Sequence, residues 1–271
     1  MSMEPLDIFN WLVPKDFGSR LMARDIAYGA GRRRMIDIYG PRHMGEGTLP
    51  VVVFFYGGSW ESGNKAAYGF VGRALANLGF VVVIPDYRVL PEVEYPAFLE
   101  DCLEAVAWVS RNIARHGGDA SRLALAGHSA GAYNAAMLAL APNLLSAHGL
   151  LPVVRGVAGL SGPYDFYPFD GVVSRRVFGQ AREPLATQPI FHVSSGSPPM
   201  WLGTGDKDEL VLPRNSDSLA RALQAAGVEA EARHYGGLDH AGTLLSLSWP
   251  LRLRAPVLAD MGRFLGRVLV G

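Results

Sequence analysis

Short apolar runs recur along the chain with amphipathic stretches between them. Leu49–Tyr56 (LPVVVFFY), Gly79–Pro85 (GFVVVIP), Arg122–Ala126 (RLALA), Val153–Leu160 (VVRGVAGL) and Met200–Leu202 show little polar alternation and stop at or beside a glycine or proline. Val228–Tyr235 (VEAEARHY) alternates and stops at Gly236-Gly237. Runs without alternation suit strands buried on both faces, as in a parallel sheet. Between them, Ala97–Ala114 aligns Phe98, Leu99, Cys102, Leu103, Val106, Val109 and Ile113 on one helical stripe, with Pro96 placed to open the helix. Ala130–Ala141 is alanine-rich, Pro213–Ala226 turns Leu219, Ala222 and Leu223 inward before Gly227, and Ala255–Val270 forms a last helical pattern. Strands alternating with helices predict an α/β fold: a mostly parallel central sheet, flanked by helices and joined by right-handed crossovers. Ahead of it, Arg24–Gly29 and Met35–Tyr39 flank Ala30–Arg34 and predict an antiparallel N-terminal edge, with Arg32-Arg33-Arg34 as an exposed turn. Tyr164–Pro199 breaks the rhythm. It is rich in proline, glycine, serine and aromatics, and it reads as a small lid or pocket-lining excursion.

Length alone would allow two domains, but the repeating pattern over 271 residues fits one. The 25 basic and 25 acidic side chains cancel, so no basic footprint exists for nucleic acid or for an anionic membrane surface. At 49% hydrophobic and 18% charged residues, the chain is too apolar for disorder and can bury a core without staples. The single cysteine, Cys102, excludes an internal disulfide framework and a cysteine-rich zinc site. Met1–Arg20 intersperses Glu4, Asp7, Lys15 and Asp16 and lacks the layout of a signal peptide, so the expectation is a cytoplasmic protein.

Gly127-His128-Ser129-Ala130-Gly131 is a Gly-x-Ser-x-Gly motif between a predicted strand and a predicted helix, the context of a nucleophile elbow. The turn is tight, so side chains at Gly127 and Gly131 would strike neighbouring backbone. It lifts the Ser129 hydroxyl above the sheet at a helix N-terminus, which favours developing negative charge. Gly58 to Lys65 imitates a phosphate-binding loop after a strand, but Asn64 separates Gly63 from Lys65 and Ala66 stands where a hydroxyl would bind magnesium.

The sequence resembles α/β-hydrolase carboxylesterases, in the branch of hormone-sensitive-lipase-like esterases and kynurenine formamidases. The likeness rests on Tyr56-Gly57-Gly58-Ser59-Trp60, Asp86-Tyr87-Arg88, Gly127–Gly131, the Asp206-Lys207-Asp208 stretch and Asp239-His240, in the family's order from about Asp37 onward. It implies the α/β-hydrolase fold and serine-hydrolase chemistry. The family's loop usually begins with histidine, where this chain has Tyr56. Gly58, with Gly57 second, and Ala130 are then the expected oxyanion donors, through their backbone N–H groups. His240 follows the last strand, where this fold delivers its base, and the chain order is serine, acid, histidine. For the acid, matching Pro198-Pro199 onward to the family without a gap selects Asp208. Counting from Gly203 would select Asp206 instead; Asp208 is the preferred acid, and Asp165 is a distant third. Trp60, Tyr87 and Tyr133 are candidate substrate-pocket residues, with plain core packing as the equal alternative.

The expectation is a serine carboxylesterase acting on small to medium acyl esters through an acyl-enzyme. Its partners are the small-molecule ester, or an amide, and water. An arylformamidase or peptidase-type amide hydrolase on the same triad is the alternative. A non-catalytic ligand-binding homologue would typically lack a triad member. No cofactor or metal is expected, since the chain has no His-Glu-x-x-His and no cysteine pair.

Overall fold

The computed structural model describes residues 4–146, 148–150 and 153–270. Eight strands form one sheet: β1 (Ser19–Ala27), β2 (Met35–Pro41), β3 (Leu49–Phe55), β4 (Val81–Pro85), β5 (Gly118–His128), β6 (Val154–Leu160), β7 (Met200–Gly205) and β8 (Ala230–Tyr235). Their spatial order is β1-β2-β4-β3-β5-β6-β7-β8. β1 pairs antiparallel with β2, and β2 antiparallel with β4; every other pairing is parallel. Val51–Phe55 and Val81–Ile84 are wholly inaccessible to solvent, as unalternated runs require.

The helices are α1 (Pro5–Leu12), α2 (Gly69–Ala76), α3 (Ala97–Asn112), α4 (Ala130–Leu140), α5 (Pro142–Ser146), α6 (Val172–Phe178), α7 (Arg214–Ala225), α8 (His240–Leu245) and α9 (Val257–Val270). From β3 the chain steps one way to β4 through α2, then back past β3 to β5 through α3. Right-handed crossovers in opposite directions put α2 and α3 on opposite faces. α9 returns to pack beside α2, and α4 packs beside α3. Among the described residues, no helix is long and apolar enough to cross a membrane.

The edge hairpin starts earlier than its pattern suggested, at Ser19, because register shifts between Leu21 and Ile26 obscure the alternation. Its turn is not simply exposed. Arg34 bonds Asp101 (2.6 Å) and Glu104 (3.0 Å), and Arg88 bonds the same buried Asp101 (2.7 Å). Arg33 donates to the Gly63 carbonyl (3.0 Å) and the Tyr56 hydroxyl (3.3 Å). Only Arg32 projects freely into solvent. Segment 164–199 carries α6 and two short helical turns, and it is anchored rather than loose. Phe178 is fully buried, with ring centroids 4.9 Å from Trp60, 5.4 Å from Tyr133 and 5.3 Å from Phe166.

Candidate active site

β5 ends at His128 and α4 begins at Ala130, so Ser129 alone makes the turn. Its backbone sits at φ 54° and ψ −123°, a region costly for a residue with a side chain. Surrounding contacts hold it there. The Ser129 N–H donates to the Leu160 carbonyl at 2.8 Å. A Cβ on Gly131 would stand 2.0 Å from the Phe55 carbonyl oxygen, and one on Gly127 2.3 Å from that of Gly131. Neither position admits any residue but glycine without moving backbone.

The turn presents Ser129 Oγ to Nε2 of His240 at 2.9 Å. His240 comes from the loop after β8, as the first residue of α8, and Asp239 caps that helix by accepting the Gly242 N–H at 2.7 Å. On the far side of the ring, Nδ1 lies 2.9 Å from Oδ2 and 3.1 Å from Oδ1 of Asp208. The Asp208 side chain is fully buried in the loop after β7. Its Oδ1 also accepts the Val211 N–H (2.8 Å) and the Leu210 N–H (3.1 Å). Burial pushes the Asp208 carboxyl up. The bonds from His240, Val211 and Ser161 outweigh this and hold it below the usual carboxylate range. Asp206 is exposed, and its Oδ1 accepts the Gly237 N–H at 2.7 Å, bracing the turn after β8. Asp165 offers its backbone N–H to Asn215 rather than its carboxylate to His240.

Beside Ser129, the loop after β3 runs through three successive left-handed residues, Gly58 (φ 134°), Ser59 (φ 53°) and Trp60 (φ 57°). Trp60 is held by its indole N–H to Asn134 (3.1 Å) and by the Leu90 N–H to its carbonyl (2.7 Å). Among the described residues, the N–H groups of Gly58, Ser59 and Ala130 have no acceptor, and Ser59 and Ala130 line the cavity over Ser129. Gly57 differs from expectation. Its N–H donates to the Tyr68 hydroxyl at 2.9 Å and so is not free for a substrate oxygen.

A cavity of about 600 Å³ opens over Ser129 and Ala130. Its walls include Trp60, Phe166, Val172, Leu210 and Val211, with Asp170, Glu209 and Arg214 among the polar groups. Trp60 therefore lies where a substrate would touch it. Tyr87 and Tyr133 do not, and both expectations are corrected. Tyr87 is fully buried, stacked on Tyr56 at 4.5 Å, and donates its hydroxyl to the Tyr56 carbonyl at 2.6 Å. Tyr133 is fully buried and donates to the Thr187 carbonyl at 2.7 Å. Both point into the core because the polar tip of each finds a main-chain acceptor there.

Three contributors escaped the sequence reading. Tyr68 and Arg33 brace the loop after β3 from positions that carry no motif. His128, the variable position of the elbow motif, bonds the His240 carbonyl, and the motif alone carries no signal for that contact. Among the described residues, no cluster of three or more metal-ligating side chains occurs.

A serine on an elbow after β5 and a histidine after β8 of this sheet define an α/β-hydrolase fold. The chain belongs to the BD-FAE family, whose model matches residues 36–223. It is 32% identical over 87% of its length to the isoprenylcysteine alpha-carbonyl methylesterase ICME of Arabidopsis thaliana, covering 60% of that protein. It is 30% identical to the carboxylesterase NlhH of Mycobacterium tuberculosis, over 87% of this chain and 79% of that one. Among solved structures, an inhibited esterase B from Lactobacillus rhamnosis superposes with a TM-score of 0.84 at 20% identity, over 97% of this chain and 91% of that one. The chain spans about 60% of the length of the first curated relatives it matches.

Proposed function

We propose that this protein is a serine carboxylesterase acting on small to medium acyl esters. The observation that carries the reading is the chain of hydrogen bonds from Ser129 Oγ through His240 to Asp208, each 2.9 Å long, at the foot of an open cavity. Family membership and the named esterase relatives support it.

The chemistry follows from the geometry. Asp208 accepts the Nδ1 proton of His240, which leaves Nε2 free to accept from Ser129. Ser129 Oγ attacks the acyl carbonyl carbon as its proton passes to Nε2. The carbonyl oxygen becomes an oxyanion beside the N–H groups of Gly58 and Ala130, at the positive end of α4. The ester C–O bond breaks, and the leaving alcohol takes the proton from His240. Water then adds to the acyl-enzyme with His240 again as base, and the acid departs, restoring Ser129.

The test is hydrolysis of p-nitrophenyl esters and labelling by a fluorophosphonate, with Ser129→Ala in parallel. The variant removes one hydroxyl and should fold normally, with kcat down by several orders of magnitude and labelling abolished. Activity in Ser129→Ala within about tenfold of wild type would falsify Ser129 as the nucleophile. An arylformamide run beside the esters decides between ester and amide preference.

A further inference from the structure

His128 joins Gly127 to the nucleophile and is buried, at 5% exposure. Its Nε2 lies 3.1 Å from the carbonyl oxygen of His240. A carbonyl only accepts, so Nε2 carries the ring proton. Nδ1 has no hydrogen-bond partner among the described residues. It faces the backbone of the loop after β3, where a Cβ built on Gly57 would touch it at 2.9 Å. A buried nitrogen without a partner lowers stability. A leucine would fill the same space and leave no orphan, so packing alone does not account for an imidazole here. What the ring adds is one N–H aimed at His240.

We propose that His128 is a positioning residue, whose Nε2–H holds the main chain of His240 in the one place from which its ring reaches both Ser129 and Asp208. The bond spans 112 positions of sequence, yet it starts from the residue next to Ser129. It therefore ties the backbone of the base to the strand end that carries the nucleophile. The distance between the two reacting groups is then set by one short link, rather than by the loop after β8 alone. The His240 carbonyl also accepts the Thr243 hydroxyl at 3.1 Å, and that hydroxyl lies 3.0 Å from the Ser161 hydroxyl after β6, so this second tie runs through two side chains to the neighbouring strand and not to the residue beside Ser129.

The ring must stay neutral for this role. Its centroid lies 4.9 Å from that of His240, which becomes an imidazolium during acyl transfer. A second positive charge at that distance would oppose the transfer. Burial first, and then the charge of the His240 ring, push the pKa of His128 down to about 3, against smaller upward pulls from the bond to the His240 carbonyl and from Asp208.

The inference rests on the proposed roles of Ser129 and His240, and the experiment separates the two. His128→Leu fills the space without a donor, while His128→Gln restores an N–H at comparable reach. Both are assayed on p-nitrophenyl butyrate well below their melting temperatures, beside wild type and Ser129→Ala, with fluorophosphonate labelling of all four. A base displaced by a fraction of an ångström should lose turnover and not binding. The leucine variant is expected to lose about 10- to 100-fold in kcat with KM within about twofold, and the glutamine variant to recover to within about fivefold of wild type. Equal kcat losses in both variants, or a leucine variant within about twofold of wild type, overturn the proposal. A wild type that neither labels nor hydrolyses overturns the esterase reading itself, and this inference with it.

Discussion

Nδ1 of His240 stands 2.9 Å from Oδ2 of Asp208, while Asp206, two residues earlier in the same loop, bonds the Gly237 N–H instead. The two carboxylates thus take different tasks, one against the His240 ring and one beneath a turn.

Replacing each with asparagine should separate those tasks. Asp208→Asn presents an amide to Nδ1 and favours the wrong imidazole tautomer, so kcat should fall by about four orders of magnitude, the loss known from the serine-protease case. In Asp206→Asn the side-chain oxygen can still accept from Gly237, so kcat should stay within about threefold of wild type. Turnover and melting temperature of both variants check this. A dead Asp206→Asn beside an active Asp208→Asn moves the acid by two positions.

The same bonds predict how stability depends on pH. The Asp208 carboxyl is held below its ordinary value of 3.8 in the folded protein. A depressed carboxylate contributes stability that is fully present above the unfolded value and is lost as pH falls through the folded one. Wild type should therefore lose more stability than Asp208→Asn as pH drops below about 4, where the unfolded carboxyl begins to protonate. Denaturant titrations of both proteins between neutral pH and pH 3 measure the difference. Parallel pH profiles would remove Asp208 from the account of acid stability.

Tyr68→Phe should leave the buried N–H of Gly57 without the hydroxyl that accepts from it at 2.9 Å. Leaving such a donor unpaired costs about 1–3 kcal/mol. A lower midpoint of unfolding at unchanged slope is the expected result. An unchanged midpoint would mean that the loop relaxes to find Gly57 another acceptor.

The cavity over Ser129 holds about 600 Å³, and α6, the helix on its rim, spans seven residues with only Val177 and Phe178 buried. No broad apolar helix faces outward there to bind a lipid surface. Rates on p-nitrophenyl acetate, butyrate, octanoate and palmitate should peak at the short or medium chains. Palmitate as the best substrate, or a jump in rate at the micelle threshold, would refute this preference.

What the chain determined by itself was whatever depends on local backbone needs and on periodicity. Val51–Phe55 and Val81–Ile84 show no polar alternation because both their faces are covered, and that is visible without any partner. Gly127 and Gly131 mark the elbow because their Cβ atoms would meet backbone within the same turn and the adjacent strand. His240 was locatable because the resemblance to α/β-hydrolases places the base after the last strand, where Asp239-His240 stands. Tertiary structure alone decided the rest, since it concerns which of several equivalent groups points where. Asp206 and Asp208 are chemically the same, so the gapless match gave a preference for Asp208 and no physical reason; β7 ending at Gly205 supplies it by leaving Asp206 exposed and turning Asp208 inward. Gly57 and Gly58 share a motif, yet the Tyr68 hydroxyl, from a short helical turn downstream, claims one of their two N–H groups. Arg33 and Arg34 look like solvent-facing charges until Gly63, Asp101 and Glu104 meet them from other elements. Tyr87 and Tyr133 carry the same side chain as a pocket aromatic, and only the position of a main-chain acceptor in the core shows that both point away from the cavity.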